Sequence, residues 1–332
     1  MSGRGAERET AIAAVARAAL LCRSVRDAFD DRLRQEKADR SPVTVADLGA
    51  QVIVSRALAA TFPADPLVGE EDSASLADPA IADAVALAIA AVEPALSAGA
   101  IAAALDRGGA AGGAAGRWWT LDPVDGTKGF LRNEQYAIAL ALVEDGVPVL
   151  GILGCPNLPR SDGSGIGALF LAERGAGAEE RSLDDPATPG RRIRVSGVTS
   201  TAAARYAESV EAAHSAQDEA AAIAARLGIA REPIRMDSQA KYGVVARGEA
   251  EIYLRIPRGD YRENIWDHAA GVVVVEEAGG VVSDVDGRPL DFTTGRRLLG
   301  NRGIVAAPAA LHAKVVDAVR SVLAGGGPAA GH

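Results

Sequence analysis

Residues 117–130 read RWWTLDPVDGTKGF, an apolar run that ends on two aspartates and a glycine-containing turn. Trp118, Trp119 and Leu121 fit a buried strand over 118–121, whose end delivers Asp122. Pro123 fixes φ beside it. Asp125 follows at a turn, so the two carboxylates can converge on one point. Gly126 lets the backbone approach a ligand closely, and Thr127 is placed to offer its hydroxyl and amide N–H to an anion. Hard oxygen ligands on turns suit Mg²⁺, which keeps several waters and shares phosphate oxygens. Taken alone, Asp-x-x-Asp at a strand end fits a solvated turn as well.

Three further acidic positions lie at the edges of apolar elements. Glu70-Glu71-Asp72 follows a short strand expected over 67–69, and also fits a solvated turn. Trp266-Asp267 opens a helix expected over 265–278, where Asp267 also fits a plain N-cap. Asp47 opens a helix expected over 47–58 and has the same alternative. Four such sites together point to a shared carboxylate centre.

The rest of the chain is read outward from these. The spacing predicts a long first helix over 6–38, ended by Ser41-Pro42. A helix capped by Asp78 and started by Pro79 runs to about Val92, and another piece spans 95–105. Segment 107–116 (RGGAAGGAAG) is a low-complexity loop. Strands over 136–144 and 148–154 form a hairpin about Glu144-Asp145-Gly146. More strands are expected at 168–172, from 176, and at 194–196, 205–210, 233–236, 252–254, 281–284 and 304–307. Gly279-Gly280 ends the helix over 265–278, and a last helix spans 309–323. We divide the chain into a lobe over 1–192, a lobe over 193–323 and a disordered tail over 324–332. Long helices mixed with hairpins argue for layered α and β structure, not a doubly wound parallel sheet.

Composition excludes several classes. Of the 332 residues, 48% are hydrophobic, enough for a core without disulfides or a structural metal. The net charge of −9 argues against a nucleic-acid partner, yet permits an anionic substrate where metal ions sit between carboxylates and phosphate. Cys22 and Cys155 make neither a disulfide framework nor, with so few histidines, a zinc site. Run 11–21 contains Arg17 and reads as an amphipathic helix, not a signal peptide. Run 81–92 is too short to span a bilayer. We expect a cytoplasmic chain with no membrane partner.

Segments 70–71, 122–130 (DPVDGTKGF) and 266–280 (WDHAAGVVVVEEAGG) together resemble the inositol monophosphatase superfamily of lithium-sensitive, Mg²⁺-dependent phosphatases. Segments 41–51 (SPVTVADLGAQ), 131–135 (LRNEQ), 154–158 (GCPNL) and 237–242 (DSQAKY), with Lys128, narrow the resemblance to its 3′(2′),5′-bisphosphate nucleotidase branch. It covers about residues 6–320. The resemblance implies an α/β/α/β/α sandwich of the sugar phosphatase type. It implies two or three Mg²⁺ ions held by Glu70, Asp122, Asp125, Asp267 and the Val124 carbonyl, with Glu71 outside them. It makes Asp47 and Thr127 the pair that activates water, and Gly126, Thr127, His214, Ser238, Lys241, Arg255 and Asp267 the substrate contacts. His268 is read as structural, because Mg²⁺ disfavours imidazole.

The implied activity is removal of the 3′-phosphate from 3′-phosphoadenosine 5′-phosphate, a small-molecule phosphonucleotide of sulfur metabolism, with the sulfated nucleotide as a further substrate. Two other readings stay open. One is an inositol mono- or polyphosphate phosphatase, against which Lys128 and 237–242 argue. The other is a non-catalytic phosphonucleotide sensor, which would need a damaged carboxylate set that this sequence does not have.

Overall fold

The computed structural model describes residues 3–33, 42–210, 217–256 and 259–325. Seven strands form one sheet in chain order: β1 (Leu67–Gly69), β2 (Arg117–Asp125), β3 (Ala137–Glu144), β4 (Val147–Pro159), β5 (Ile166–Glu173), β6 (Gly177–Ser182) and β7 (Arg191–Arg192). Only β1 and β2 pair in parallel there; the other neighbours are antiparallel. The β3–β4 turn has Asp145 at φ 48° and Gly146 at φ 74°, the left-handed pair that a two-residue hairpin requires. A second sheet has the order β11-β12-β10-β8-β9. Its strands are β8 (Tyr206–Glu208), β9 (Ile234–Arg235), β10 (Ile252–Arg255), β11 (Gly280–Ser283) and β12 (Ile304–Pro308).

Nine helices are described: α1 (Gly5–Leu33), α2 (Pro42–Thr61), α3 (Pro79–Ala90), α4 (Ala98–Asp106), α5 (Thr127–Leu131), α6 (Gln217–Leu227), α7 (Ala240–Ala246), α8 (Ala269–Glu277) and α9 (Ala309–Gly325). Strand alternation sorts them into layers. Ile138, Leu140 and Leu142 of β3 pack with Val15, Ile53 and Leu58 of α1 and α2. The intervening Ala139, Ala141 and Val143 join Tyr242 of α7 and Val272 of α8 in the core between the sheets. Tyr206 and Leu254 of the second sheet's far face pack on Ile223 of α6 and on Leu311 and Val315 of α9. The order is helix, sheet, helix, sheet, helix, the expected sandwich. Within α2, Val43–Thr61 is long and apolar enough to cross a bilayer, but 67% of it is buried in this core.

Several boundaries differ from the sequence expectation. α2 starts at Pro42, a first-turn position that costs no backbone hydrogen bond, so Asp47 lies inside the helix and not at its cap. β2 continues to Asp125. Residues 194–196 form no strand. α3 stops at Ala90, two residues short. α8 starts at Ala269 behind His268, so Trp266 and Asp267 lie in the preceding turn, and Asp267 is no N-cap. α9 takes in Ala324 and Gly325, expected in the tail; residues 326–332 and the end of the first helix past 33 lie outside the described residues.

The central helices sit close to the large sheet because small residues allow it. A Cβ on Gly151 of β4 would lie 2.5 Å from the Ala270 carbonyl oxygen of α8. That oxygen is backbone and cannot rotate away. Gly151→Ala should therefore lower stability by about 1–3 kcal/mol through overpacking, read from urea unfolding; an unchanged midpoint would show that α8 shifts freely.

Candidate active site

The pairing register of β2 explains how two aspartates three positions apart reach the same place. In a regular pleat Asp122 and Asp125 would point to opposite faces. Here Asp122 pairs with Ala139 and Asp125 with Ala137, so one extra residue bulges between them. The bulge re-aims the second carboxylate, and Pro123 inside it has no N–H to waste. Gly126 follows at φ 90°, where a Cβ would also lie 2.8 Å from the Cβ of Ser238. This glycine lets the turn into α5 pack directly on segment 237–239.

Around the bulge, four chain segments bring carboxylates together. Glu70 leaves the end of β1, and Gln51 of α2 holds the next residue by both backbone groups: Nε2 donates to Glu71 O at 2.6 Å, and Glu71 N–H donates to Oε1 at 3.0 Å. Asp47 lies one turn before Gln51 on the same helix. Glu70 feels Asp267, Glu71 and Asp125; Asp122 feels Glu70, Asp125, Asp267 and Asp47. Burial, then the neighbouring acids, pushes Asp47 and Asp122 well above the usual carboxylate range. The same causes raise Glu70 to about 8. Burial raises Asp267 to about 6, with Arg255 opposing.

The cluster fits a divalent cation. Glu70 and Asp122 lie close enough to share a proton, and Asp122 Oδ1 is buried with no hydrogen-bond partner. A buried carboxylate oxygen left bare is costly. Its chemistry, all carboxylate, is that of a Mg²⁺ site. Glu263, Asp267 and His268 also offer ligand atoms within 4.8 Å of one another. There the cation is already Arg255, whose Nε lies 2.9 Å from Glu263 and Nη2 3.2 Å from Asp267. His268 Nε2–H donates to Glu263 at 3.1 Å while Nδ1 accepts from the Tyr242 hydroxyl at 2.9 Å. This second cluster is an orienting network for Asp267.

A cleft of about 290 Å³ opens beside the carboxylates, lined by Asp125, Gly126, Thr127, Lys128, Ser209, Asp237, Ser238, Lys241, Tyr253, Arg255 and Asp267. Ser238 has φ 68° and its Oγ accepts from Ala240 N–H at 3.2 Å. Gln239 N–H donates to Asp125 Oδ2 at 2.6 Å, and Gln239 Nε2 donates to Trp266 O at 3.0 Å. Lys241 is buried; its Nζ donates to Met236 O at 3.2 Å and lies 5.4 Å from the Tyr253 ring. Burial lowers its pKa to about 8. Arg132 donates to Asp237, tying segment 131–135 to segment 237–242.

The cleft thus gathers Asp125, Gly126, Thr127, Ser238, Lys241, Arg255 and Asp267, while Glu70, Asp122 and Asp47 lie in the adjoining cluster. Among the described residues no hydrogen bond joins Thr127 to Asp47. His214 lies outside the described residues. Sequence reasoning gave no place to Ser209, Asp237 or Tyr253, nor to Gln51 and Gln239. Gln51 had a signal, since it stands four residues after Asp47 on one helix face, and Asp237 and Gln239 lie in segment 237–242 that carries the resemblance; Ser209 and Tyr253 had none.

The sequence pattern of the inositol monophosphatase family matches residues 6–324. The chain belongs to that family. Metal dependence comes with membership. Within the family it is similar to proteins named 3′(2′),5′-bisphosphate nucleotidase. The one from Emericella nidulans is 43% identical over 96% of this chain and 99% of its own length. That from Schizosaccharomyces pombe is 44% identical over 96% of both, and that from Oryza sativa 44% identical over 96% of this chain and 94% of its own. Solved structures of inositol monophosphatases from Zymomonas mobilis and Anabaena share the fold. The first has a TM-score of 0.64 at 22% identity, covering 96% of this chain and 100% of that one; the second has 0.62 at 20%, covering 96% and 97%.

The raised carboxylates give the metal-free family member a distinct pH response. Glu70 holds its proton more tightly folded than unfolded, so its contribution to stability is full below about 4.5 and is lost as pH rises through about 8. A divalent cation held among these carboxylates would supply the missing positive charge. Melting temperature without metal should fall between about pH 5.5 and about pH 8.5, and Mg²⁺ should raise it more at the higher pH. An equal Mg²⁺ shift at both values would contradict this.

Proposed function

We propose that the chain removes the 3′-phosphate of 3′-phosphoadenosine 5′-phosphate to give AMP and phosphate, and acts on the sulfated nucleotide as a further substrate. The carrying observation is one cleft lined both by the carboxylates Asp125 and Asp267 and by the buried cation Lys241. The likeness, at 43–44% identity over nearly the whole chain, to proteins named 3′(2′),5′-bisphosphate nucleotidase supports it.

In this reading Glu70, Asp122, Asp125, Asp267 and the Val124 carbonyl hold two or three Mg²⁺ ions. When bound, these supply positive charge that makes water a better nucleophile and stabilises the leaving alkoxide. Thr127 orients the attacking water, and Asp47 takes its proton by way of the Thr127 hydroxyl. The water oxygen forms a bond to phosphorus, the P–O3′ bond breaks, and the ribose O3′ leaves with a proton from solvent. Gly126 and Ser238 offer backbone to the substrate, and His214 contacts the nucleotide. Lys241 and Arg255 grip the 5′-phosphate. Arg255 does so while two of its nitrogens stay on Glu263 and Asp267, so Lys241 carries the larger share.

Two measurements check these roles. Thr127→Val keeps the branched shape and removes the hydroxyl; kcat should fall by about 10²–10⁴-fold with Mg²⁺ affinity held, and a kcat within a few-fold of wild type would remove the relay. Lys241→Ala should cost roughly 10–100-fold in kcat/KM for the bisphosphate, and much less for a substrate lacking the 5′-phosphate. Because the charged lysine is the binding form, wild-type KM for the bisphosphate should rise above about pH 8, a dependence the variant lacks. If inositol 1-phosphate or inositol 1,4-bisphosphate proves the better substrate, the nucleotide assignment fails.

A further inference from the structure

Arg296 lines no part of the cleft, yet it touches the residues that precede two of the carboxylates. Its Nη2 donates to Gly69 O at 2.5 Å, one residue before Glu70. Its Nη1 donates to Gly108 O at 3.2 Å and Ala110 O at 3.0 Å. The guanidinium lies 4.8 Å from the ring centroid of Trp266, one residue before Asp267. Its own carbonyl accepts from Ile265 N–H at 3.1 Å. The glycine-rich segment closes the arrangement: Gly69 N–H donates to Gly108 O at 2.8 Å, and Ala110 N–H to Leu67 O at 3.1 Å. A single side chain therefore fastens the end of β1 in the large sheet to the turn before α8.

We propose that Arg296 is a positioning residue that sets the separation of Glu70 from Asp267, and thereby the affinity for divalent cation, with residues 108–110 as its backbone cradle. This rests on the metal site of the proposed function. Arginine suits the task because its planar fork reaches three carbonyls and stacks on an indole together, which an ammonium cannot do. Its charge works against its geometry. A cation within electrostatic reach of Glu70 and Asp72 repels Mg²⁺, so charge alone would make its removal tighten metal binding. The proposal requires weaker binding.

The test is Mg²⁺ titration by calorimetry on the substrate-free protein, with KM and kcat for the bisphosphate nucleotide measured across Mg²⁺ concentrations. Arg296→Lys keeps the charge and loses the fork. It should weaken Mg²⁺ binding about 10–100-fold, raise the Mg²⁺ needed for half-maximal rate in step, and leave KM for the nucleotide at saturating Mg²⁺ near wild type. Trp266→Leu, which removes the stacked ring and leaves the fork its three carbonyls, should shift Mg²⁺ affinity in the same direction by less, and it stands in if the first variant does not fold. Arg296→Gln should also bind Mg²⁺ more weakly. Wild-type Mg²⁺ affinity in Arg296→Lys, or tighter binding in Arg296→Gln, overturns the proposal. A wild-type protein that binds no Mg²⁺ overturns the metal reading itself, and is told apart because the parent then fails before any variant is made.

Discussion

Buried Asp47, Asp122 and Asp267, half-buried Glu71 and Asp125, and Glu70 at the rim crowd one end of the large sheet, and the protein is built to keep them there. Two like charges about 4 Å apart repel by about 4 kcal/mol at an effective dielectric of about 20, and burial adds to the cost of ionising each. Three things can relieve this: protons, a fixed cation, or divalent metal. The structure shows the first two. Proton affinity rises across the set, and Arg255 compensates Asp267 through contacts of 2.9 and 3.2 Å to Glu263 and Asp267. Asp122 Oδ1 has no hydrogen-bond partner. A site that stores repulsion until a cation arrives is strained on purpose.

The architecture follows from the need to hold such a cluster rigidly. β1 and β2 are the parallel pair of the large sheet, so Glu70 and Asp122 emerge from the same end of adjacent strands. α2 crosses that end in the outer helix layer and brings Asp47 and Gln51. α8, from the central layer, is approached through the turn that carries Asp267. Each element arrives from a different layer, and each is locked by amide bonds: Gln51 on Glu71, Gln239 on Asp125 and on Trp266 O. Charged loops alone would splay apart under their own repulsion; buried amides on packed helices do not.

How far the sequence spoke depended on whether a residue's signal was local. Asp122, Asp125 and Gly126 sit in one short stretch, and the reading of a strand running into a turn held, although β2 carries on through the bulge to Asp125. The bulge itself has no signature beyond Pro123. That helices and sheets are layered was legible from long helical runs mixed with hairpins; the order of the layers came only from the family resemblance. The start of α8 was misplaced by four residues because Ile265 and Trp266 continue the apolar run of the helix, and the turn 265–268 is as buried as the helix it precedes. Ser209 and Tyr253 reach the cleft only through the pairing of β8 with β10, a contact between segments more than forty residues apart that no local pattern encodes. The glycine-rich run 107–116 read as an incidental insertion, and part of it is a strap against β1.

In the proposed function, selectivity would follow from the same electrostatics through Lys241, which lines the cleft with Asp125 and Asp267. Metal held by the carboxylates would treat all phosphate monoesters alike, since it would recognise only the transferred group. Lys241 would not. It is nearly fully buried at 3% exposure, with one carbonyl partner and an aromatic face, and burial has already pulled its pKa towards neutrality. Asp125 and Asp237 act on this ammonium at a distance, but among the described residues it forms no ion pair with either, and a buried charge without a directly paired anion is expensive. A substrate that brings a second phosphate supplies the partner and recovers part of that cost at the moment of binding. A ring with a single phosphate fills the carboxylate side and leaves the ammonium as it was. The chain, at net charge −9, repels anions at long range; in the proposed function a ligand that meets cations at two separate points would gain most against this, and a ribose bearing phosphates at its 3′ and 5′ positions has that shape.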